Sequence, residues 1–577
     1  MKNMYKIIFS LSFVLFFVSC ETFDLNQTKS PSQPGEEFID PIYTFNYIQL
    51  QLPQFIESGN EFTQEIIRQR PMTGGTNYNN AYAPVNFSTN WSDGYNILNA
   101  IKIMEPYAVE KRANYILGAS KAIRIYVLLN LVDTYGDIPY SEALLGNLNL
   151  TPRYDKSADI YKGLLVEIDD AIETLNLPNN TNIIAENLYY SDKNDWLRLC
   201  NTLKLKLLCT ARLAGSDIGL GNAEGVGTAI KAIVDEGNYI KEISQDFEFK
   251  YGNSRNTPNT RHPEYNRQYE LGASSYQSNY FIWTVTEEKV IDNLFVNDPR
   301  EVFYFHRQGA TGGQPEFVLP NRTRPAHYND SKYSSFFDAS VVTPFTVSNW
   351  LGESSLPGGG YWGRDHGNAA GIPPDTSLRT VAGLYPIGGI YRETASDVQE
   401  EGTLGAQGAG ITPMILSSYV HFMLAEAYLT LPTSSTGGIS DAKSEFILGM
   451  TQSIDKVINF KPDYTKFNAT TLTNLSNAKD NYLEKLIFVF DNSNNERKLE
   501  LIIKEFYIAA CGNGIEPYNS YRRTGYPSNL QPTLETVSGA FYNCAFYPAN
   551  AITPNPNVPA NNRERKVFWH KSTTILN

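Results

Sequence analysis

Between residues 158 and 175 the apolar positions are Ile160, Tyr161, Leu164, Leu165, Ile168, Ala171, Ile172 and Leu175, recurring mainly at three- and four-residue steps. That spacing gathers them into one stripe and predicts an α-helix lying against a core. Residues 113–131 repeat the pattern with Tyr115, Ile116, Ala119, Ile123, Tyr126 and Val127, and residues 196–211 do so with Leu199, Cys200, Leu203, Leu207 and Leu208. Amphipathic helices of this length in succession, from about Pro41 onward, predict stacked helical repeats, although no strict 34-residue self-similarity is visible. The helix after Lys111 is predicted to stop at Tyr135-Gly136-Asp137-Ile138-Pro139, where a glycine at the terminating position is soon followed by proline.

The pattern changes after residue 240. Residues 241–410 are rich in Gly, Pro, Asn, Ser and Tyr with few clean periodicities, and Leu356-Pro-Gly-Gly-Gly360 and residues 402–410 cannot hold regular structure for long. A loop-rich stretch of this size inside a folded body is usually functional when ordered. Helical pattern resumes at residues 412–430, 441–458, 482–490 and 496–510, and the proline- and asparagine-rich residues 548–562 are predicted to run extended over the surface. The body therefore divides into helical repeats over 41–240, a loop-rich insertion over 241–410, and helices with an extended tail over 411–577.

The first residues say where the protein lives. Lys2 and Lys6 precede a mostly apolar run over 7–18, and Val18-Ser19-Cys20 closes it with small residues before a cysteine. Residues 1–19 read as a secretory signal too short to span a bilayer, with Cys20 where a bacterial lipoprotein is cleaved and its thiol acylated. Phe17 stands where leucine is usual, and a plain secreted product is the alternative. Residues 20–40, polar and without apolar period, read as a lipidated cysteine and a flexible tether. No later segment is predicted to span; even the apolar stretch 411–429 carries His421 and Glu426.

Composition narrows the function classes. The 577 residues carry 48 Lys plus Arg against 61 Asp plus Glu, a net charge of −13, and no basic run with interleaved aromatics, which argues against nucleic acid. Losing residues 1–19 removes two lysines and no acid, so the mature chain carries −15 and should stand off an anionic membrane, held only by its lipid. Cys200 and Cys209 sit nine apart on one helical rod, too far to bridge, Cys511 and Cys544 are either paired or buried thiols, and none has zinc spacing. The six histidines form no short-spaced metal pair, G-x-S-x-G and P-loop signatures are missing, and Gly402-x-x-Gly405-x-x-Gly408 follows acids rather than a strand. No cofactor is implied. Two acids brought together by folding, as a glycosidase needs, remain possible among 61 candidates.

Several motifs in order carry a resemblance: Trp91-x-x-x-Tyr95, Tyr135-Gly-Asp-Ile-Pro-Tyr-Ser-Glu-Ala143, Asn297-Asp-Pro-Arg300, Gly363-Arg-Asp-His-Gly367 with Leu384-Tyr-Pro386, Phe422-Met-Leu-Ala-Glu-Ala427 and Tyr521-Arg-Arg-Thr-Gly-Tyr-Pro527. Together they resemble the SusD/RagB family of nutrient-binding outer-membrane lipoproteins, from Cys20 to the C-terminus. The resemblance implies a mainly α fold of tetratricopeptide-like helix pairs with an irregular ligand-facing region, and a cell-surface location. It implies a SusC-like TonB-dependent transporter as partner and binding rather than catalysis.

Residue by residue, the chemistry is that of capture. Sugar rings stack an apolar face on Trp or Tyr while their hydroxyls seek Asn, Asp, Arg and Gln. The sequence offers Tyr328, Tyr333, Trp350, Tyr361 and Trp362 with Arg364 in glycine-bearing, weakly periodic sequence, and Tyr78, Tyr82 and Trp91 among asparagines as a second cluster. The predicted ligand is an oligosaccharide, with peptide capture as the alternative and surface glycoside hydrolysis behind both. Arg522 and Arg523 read as a structural brace, Glu426 as a buried acid that needs one of them, and Asn297 to Arg300 as a helix start. Asp365, His366, Asn368 and Asp375 form either a tight hydrogen-bonded turn or a calcium loop without EF-hand spacing.

Overall fold

The computed structural model describes residues 39–72, 82–180, 187–270, 276–292, 294–307, 363–367, 380–391, 402–465, 467–534 and 541–572. The first helix, α1 (Pro41–Ile66), starts where Asp40 accepts the amide of Ile42 at 2.8 Å and Pro41 takes the first helical position. Helices α2 (Ser88–Glu110), α3 (Asn114–Tyr135), α4 (Ser157–Asn176), α5 (Lys193–Thr210) and α6 (Ala223–Glu236) follow. They run up and down. Asp40 at the start of α1 pairs with Lys111 beyond the end of α2, Asn90 near the start of α2 meets the end of α3 through Tyr135, and Asp133 meets Tyr161 near the start of α4.

The α4 stripe is buried as its periodicity predicts, with Ile160, Tyr161, Leu164, Ile168, Ala171 and Leu175 facing inward. Helix α3 ends at Gly136, whose φ of 83° an L side chain would resist. Near its other end Gly118 lets α4 approach so closely that a Cβ there would lie 2.5 Å from Leu175 Cγ. Helix α3 is long and apolar enough to cross a membrane by composition, but it is wrapped by its neighbours and serves as the core rod of the stack.

The ends of the irregular region are clasped by a two-stranded ribbon, β1 (Phe247–Lys250) with β2 (Ile411–Ile415), antiparallel with Phe247 opposite Ile415 and Lys250 opposite Ile411. Between them lie α7 (Pro263–Tyr269), α8 (Asn279–Thr286) and two further short antiparallel ribbons, Val290–Ile291 with Leu294–Phe295 and Phe305–Arg307 with Thr380–Ala382. The second half resumes with α9 (Ser417–Thr430), α10 (Gly438–Ile458), α11 (Ala469–Asp491), α12 (Asn495–Ala509) and α13 (Ile515–Thr524). The helix predicted over 412–430 is thus a strand followed by a helix. Both are buried on all sides, so apolar residues run through the junction without a change of period. Helix α11 is also longer than its pattern over 482–490. In the tail, Ala549–Ile552 makes one helical turn in an otherwise irregular, largely exposed run.

The buried polar residues act as braces. Glu426 on α9 takes Arg212 at 2.7 Å and a two-pronged contact from Arg523 on α13 at 3.1 and 2.8 Å. Burial alone would raise its carboxyl, but the two guanidiniums hold it below the ordinary range. Arg522 donates to the carbonyls of Asn543 and Asp133 and lies 3.8 Å over the Tyr518 ring and 4.8 Å over Trp569. Asp298 accepts the amide and guanidinium of Arg300, which reaches on to Ser453, Tyr482 and Glu505, so Asn297 to Arg300 is a buried ion cluster more than a cap. Cys200, Cys209, Cys511 and Cys544 are buried free thiols, and burial pushes Cys200 and Cys209 up to about 12, which makes them inert.

Replacing Glu426 by Ala strands two buried guanidiniums against each other. Denaturant titration of the mature protein should show about 3–5 kcal/mol lost. A change under about 1 kcal/mol would remove this brace from the fold's essentials.

Candidate functional site

Antiparallel packing brings the C-terminal half of α1, the turn at Pro84–Phe87, the start of α2 and the end of α3 to one end of the stack. There they enclose an open groove of about 710 Å³. Its floor is aromatic. Phe62 meets Tyr82, Phe87 and Tyr518 edge-on at centroid distances of 5.5, 5.1 and 5.7 Å, and Phe87 meets Tyr135 at 6.4 Å. Ser58, Glu61, Glu65, Asn86 and Thr89 supply the polar wall, with Met72 and Val85 between them. Asn90 is fixed, donating to Phe55 O at 3.0 Å and accepting from the Tyr135 hydroxyl at 2.9 Å.

The α1 wall is acidic. Glu57, Glu61 and Glu65 recur every four residues along one face, an arrangement that repels itself unless cations answer it. They come from outside the helix: Arg70 pairs with Glu264 on α7 at 3.2 Å, and Arg267 spans Glu264 at 3.4 Å and Glu61 at 3.8 Å. Burial pushes the Glu57 carboxyl up to about 7 although Thr412 donates to it at 2.6 Å. Burial likewise pushes Glu65 up to about 7, with Arg70 opposing. His262, 3.8 Å from Glu57, is held down to about 3 by burial and is neutral, its Nδ1 accepting the Glu264 amide at 3.1 Å. A recess of about 50 Å³ lies between these groups, Phe281 and Tyr385.

Of the rings predicted as platforms, Tyr328, Tyr333, Trp350, Tyr361 and Trp362 lie outside the described residues, as does Tyr78. Arg364 is placed. It is buried, its backbone bridges to Gln277 and Asn279, and its guanidinium stacks 4.3 Å over Tyr276. Its neighbours form a tight turn: Gln531 donates to Asp365 at 2.7 Å and accepts from the His366 amide at 3.1 Å. Asn368 and Asp375, the other residues of the calcium alternative, fall outside the described residues. Met72, which lines the groove, donates its amide to His366 Nδ1 at 3.5 Å, so the Arg364 turn stands directly behind the groove. Tyr82 lines the groove with its ring largely covered, while Trp91 packs among Tyr95, Tyr135, Tyr154 and Tyr547. Sequence reasoning missed the acidic wall. Its available signal was the like-charge row at positions 57, 61 and 65.

The family described as starch-binding associating with outer membrane matches residues 33–334, and that described as SusD and RagB outer membrane lipoprotein matches residues 406–557. No curated protein matches by sequence. Among solved structures, a SusD homologue from Bacteroides fragilis is 19% identical, the alignment covering 91% of this chain and 99% of that one with a TM-score of 0.59. A SusD/RagB family protein from Bacteroides thetaiotaomicron is 15% identical over 91% and 99%, at 0.60. A chitin-binding SusD homologue from Flavobacterium johnsoniae is 16% identical over 92% and 98%, at 0.58. Identities this low speak to the fold, which is mainly α with tetratricopeptide-like helix pairs. The sequence match over more than half its length carries the rest: the chain belongs to the SusD/RagB family of outer-membrane lipoproteins.

Proposed function

We propose that this lipoprotein, anchored at the cell surface through Cys20, captures oligosaccharides in the groove at the end of α1 to α3 and passes them to a SusC-like TonB-dependent transporter. The observation that supports this most is the groove itself. An open trough of about 710 Å³ with an aromatic floor and an amide, hydroxyl and carboxyl wall offers what a sugar chain requires, apolar faces to rest on and many hydrogen-bonding partners. The chitin-binding relatives favour a glycan over a peptide. Tyr328, Tyr333, Trp350, Tyr361 and Trp362, with Arg364 behind the groove, would extend the stacking surface. Hydrolysis fits less well, because the groove's two described carboxyls, Glu61 and Glu65, rise from one helix face instead of flanking a bond from two sides.

Calorimetry on the mature protein lacking Cys20, against panels of oligosaccharides and peptides with product analysis afterwards, tests the reading. Intact oligosaccharide should bind and stay intact; shortened products would overturn the binding role, and peptide binding alone would change the ligand class. Asn86→Ala should weaken the best glycan about fivefold, the worth of one hydrogen bond. If Trp350→Ala and Trp362→Ala both left affinity unchanged, those rings would not belong to the site.

The raised carboxyls add a pH dependence. Glu57 and Glu65 are protonated in the folded chain up to about pH 7 but only to about 4.5 when unfolded. Folding therefore takes up protons in that window, and stability falls as pH rises from about 4.5 to about 7 before levelling. Glu57→Gln with Glu65→Gln should flatten that decline in denaturant midpoints. In the same pH range the groove gains negative charge, so an acidic glycan should bind more weakly at pH 8 than at pH 6 and a neutral one equally at both. Equal pH response in wild type and the double variant would show that these acids do not titrate there.

A further inference from the structure

The groove carries charge of one sign only. Of the described residues, fourteen line it, and they include two carboxyls, Glu61 and Glu65, and no lysine, arginine or histidine. A third carboxyl, Asp93 on α2, lies one hydrogen bond away: Ser58, in the groove wall, donates to it at 3.4 Å, and it pairs with no cation among the described residues. The arginines that answer the α1 acids do not reach in. Arg70 pairs with Glu264, and Arg267 meets Glu61 only at 3.8 Å; neither lines the groove, and the Glu61 side chain remains 65% exposed. An ion pair so long and so open to water neutralises little.

The floor favours the same partner. The faces of aromatic rings attract a cation as well as the apolar side of a sugar, so Phe62, Phe87, Tyr82 and Tyr135 suit a ligand that joins a ring to a positive charge. Beside them Thr134, only 7% exposed, lines the groove with a hydroxyl that has no hydrogen-bond partner among the described residues. A polar group so nearly buried is usually satisfied, and a ligand hydroxyl in the groove would satisfy this one.

We propose that the groove prefers glycans whose amino groups are free and protonated, with Glu61 as the specificity-determining residue that receives the ammonium. The inference rests on the capture reading and adds to it the class of glycan. A trough lined by one sign of charge between low-dielectric walls concentrates the opposite charge. An ammonium brings three donors and no acceptor, which carboxylates and hydroxyls meet, whereas N-acylation removes its charge. Uronic or sulfated sugars find no cation here. A sugar amine is also fixed to the ring that the floor holds, while a lysine amine rides on a four-carbon stem whose freedom must be lost.

Calorimetry on the mature protein lacking Cys20, at about pH 6 where such an amine holds its proton, should compare a glucosamine tetrasaccharide with its fully N-acetylated counterpart and with tetralysine. The free-amine glycan should bind about fivefold tighter than the acetylated one, and raising salt from about 0.02 to about 0.5 M should bring that ratio close to one. Glu61→Gln should lower the ratio to below about twofold at low salt. Glu110→Gln, the same charge change at the exposed far end of α2, should leave it at the wild-type value. Equal affinity for the two tetrasaccharides, an equal fall in both variants, or tetralysine binding as tightly as the amino sugar would each overturn the proposal. An acetylated glycan that still binds while the ratio is one strikes this preference alone; absence of binding by either glycan strikes the capture reading itself.

Discussion

Two neighbouring guanidiniums on α13 hold the halves of this molecule together. Arg522 reaches the carbonyl of Asp133 at the end of α3 and lies between Tyr518 and Trp569, while Arg523 grips Glu426 on α9. One residue therefore binds α13 to the N-terminal stack and the next binds it to the C-terminal helices. Guanidinium suits this task because its planar donors engage several acceptors in the plane while its faces rest on rings. The turn leading into this helix fixes α1: the Gly514 amide donates to Asn60 at 3.0 Å and Asn60 donates to Gly512 O at 3.0 Å, while Tyr518 on the helix backs Phe62 on the groove floor. The floor of the groove is thus one ring removed from the brace and is held by it.

The acidic wall shows a second linkage between segments. A carboxylate row at four-residue spacing weakens the helix that carries it, by a few tenths of a kcal/mol per pair. Here the row is answered by Arg70 and Arg267, and through Glu264 those cations belong equally to α7. Local repulsion in α1 is thereby exchanged for attachment of the irregular region to the helical stack. Protonation of Glu57 and Glu65 near neutrality relieves what repulsion remains, because two arginines cannot neutralise four carboxylates.

What the sequence displays depends on how many sides of an element are covered. Helix α4 has one buried face, so its period shows and its limits over 157–176 lie within a residue of the pattern. The stretch from Ile411 to Thr430 is covered all round, so strand and helix run together as one apolar run and the junction at Leu416 is invisible. Glu426 could be identified as an acid needing a partner because it interrupts such a run, and Arg523 supplies the partner. The groove was only half legible. Tyr82 stood out among asparagines, whereas Glu61 and Glu65 looked like any solvated helix face until packing brought the Asn86 turn across from them. Spatial neighbours more than twenty residues apart leave no mark in the local pattern.

The up-and-down order of α1, α2 and α3 has a geometric consequence for function. In α1, α2 and α3 one end belongs to the groove and the other lies at the end marked by the Asp40–Lys111 pair, so a fixed span separates the two. Along α1, Asp40 to Glu61 is twenty-one residues, roughly 30 Å at the helical rise. Helix α3 is buried along nearly its whole length and close-packed against α2 and α4, so it cannot shorten or bend without opening the core. The groove and the Asp40 end are therefore held at a fixed separation by the close-packed rods. A stack of rods fixes that separation well, since each rod's length is set by backbone hydrogen bonds inside the helix itself.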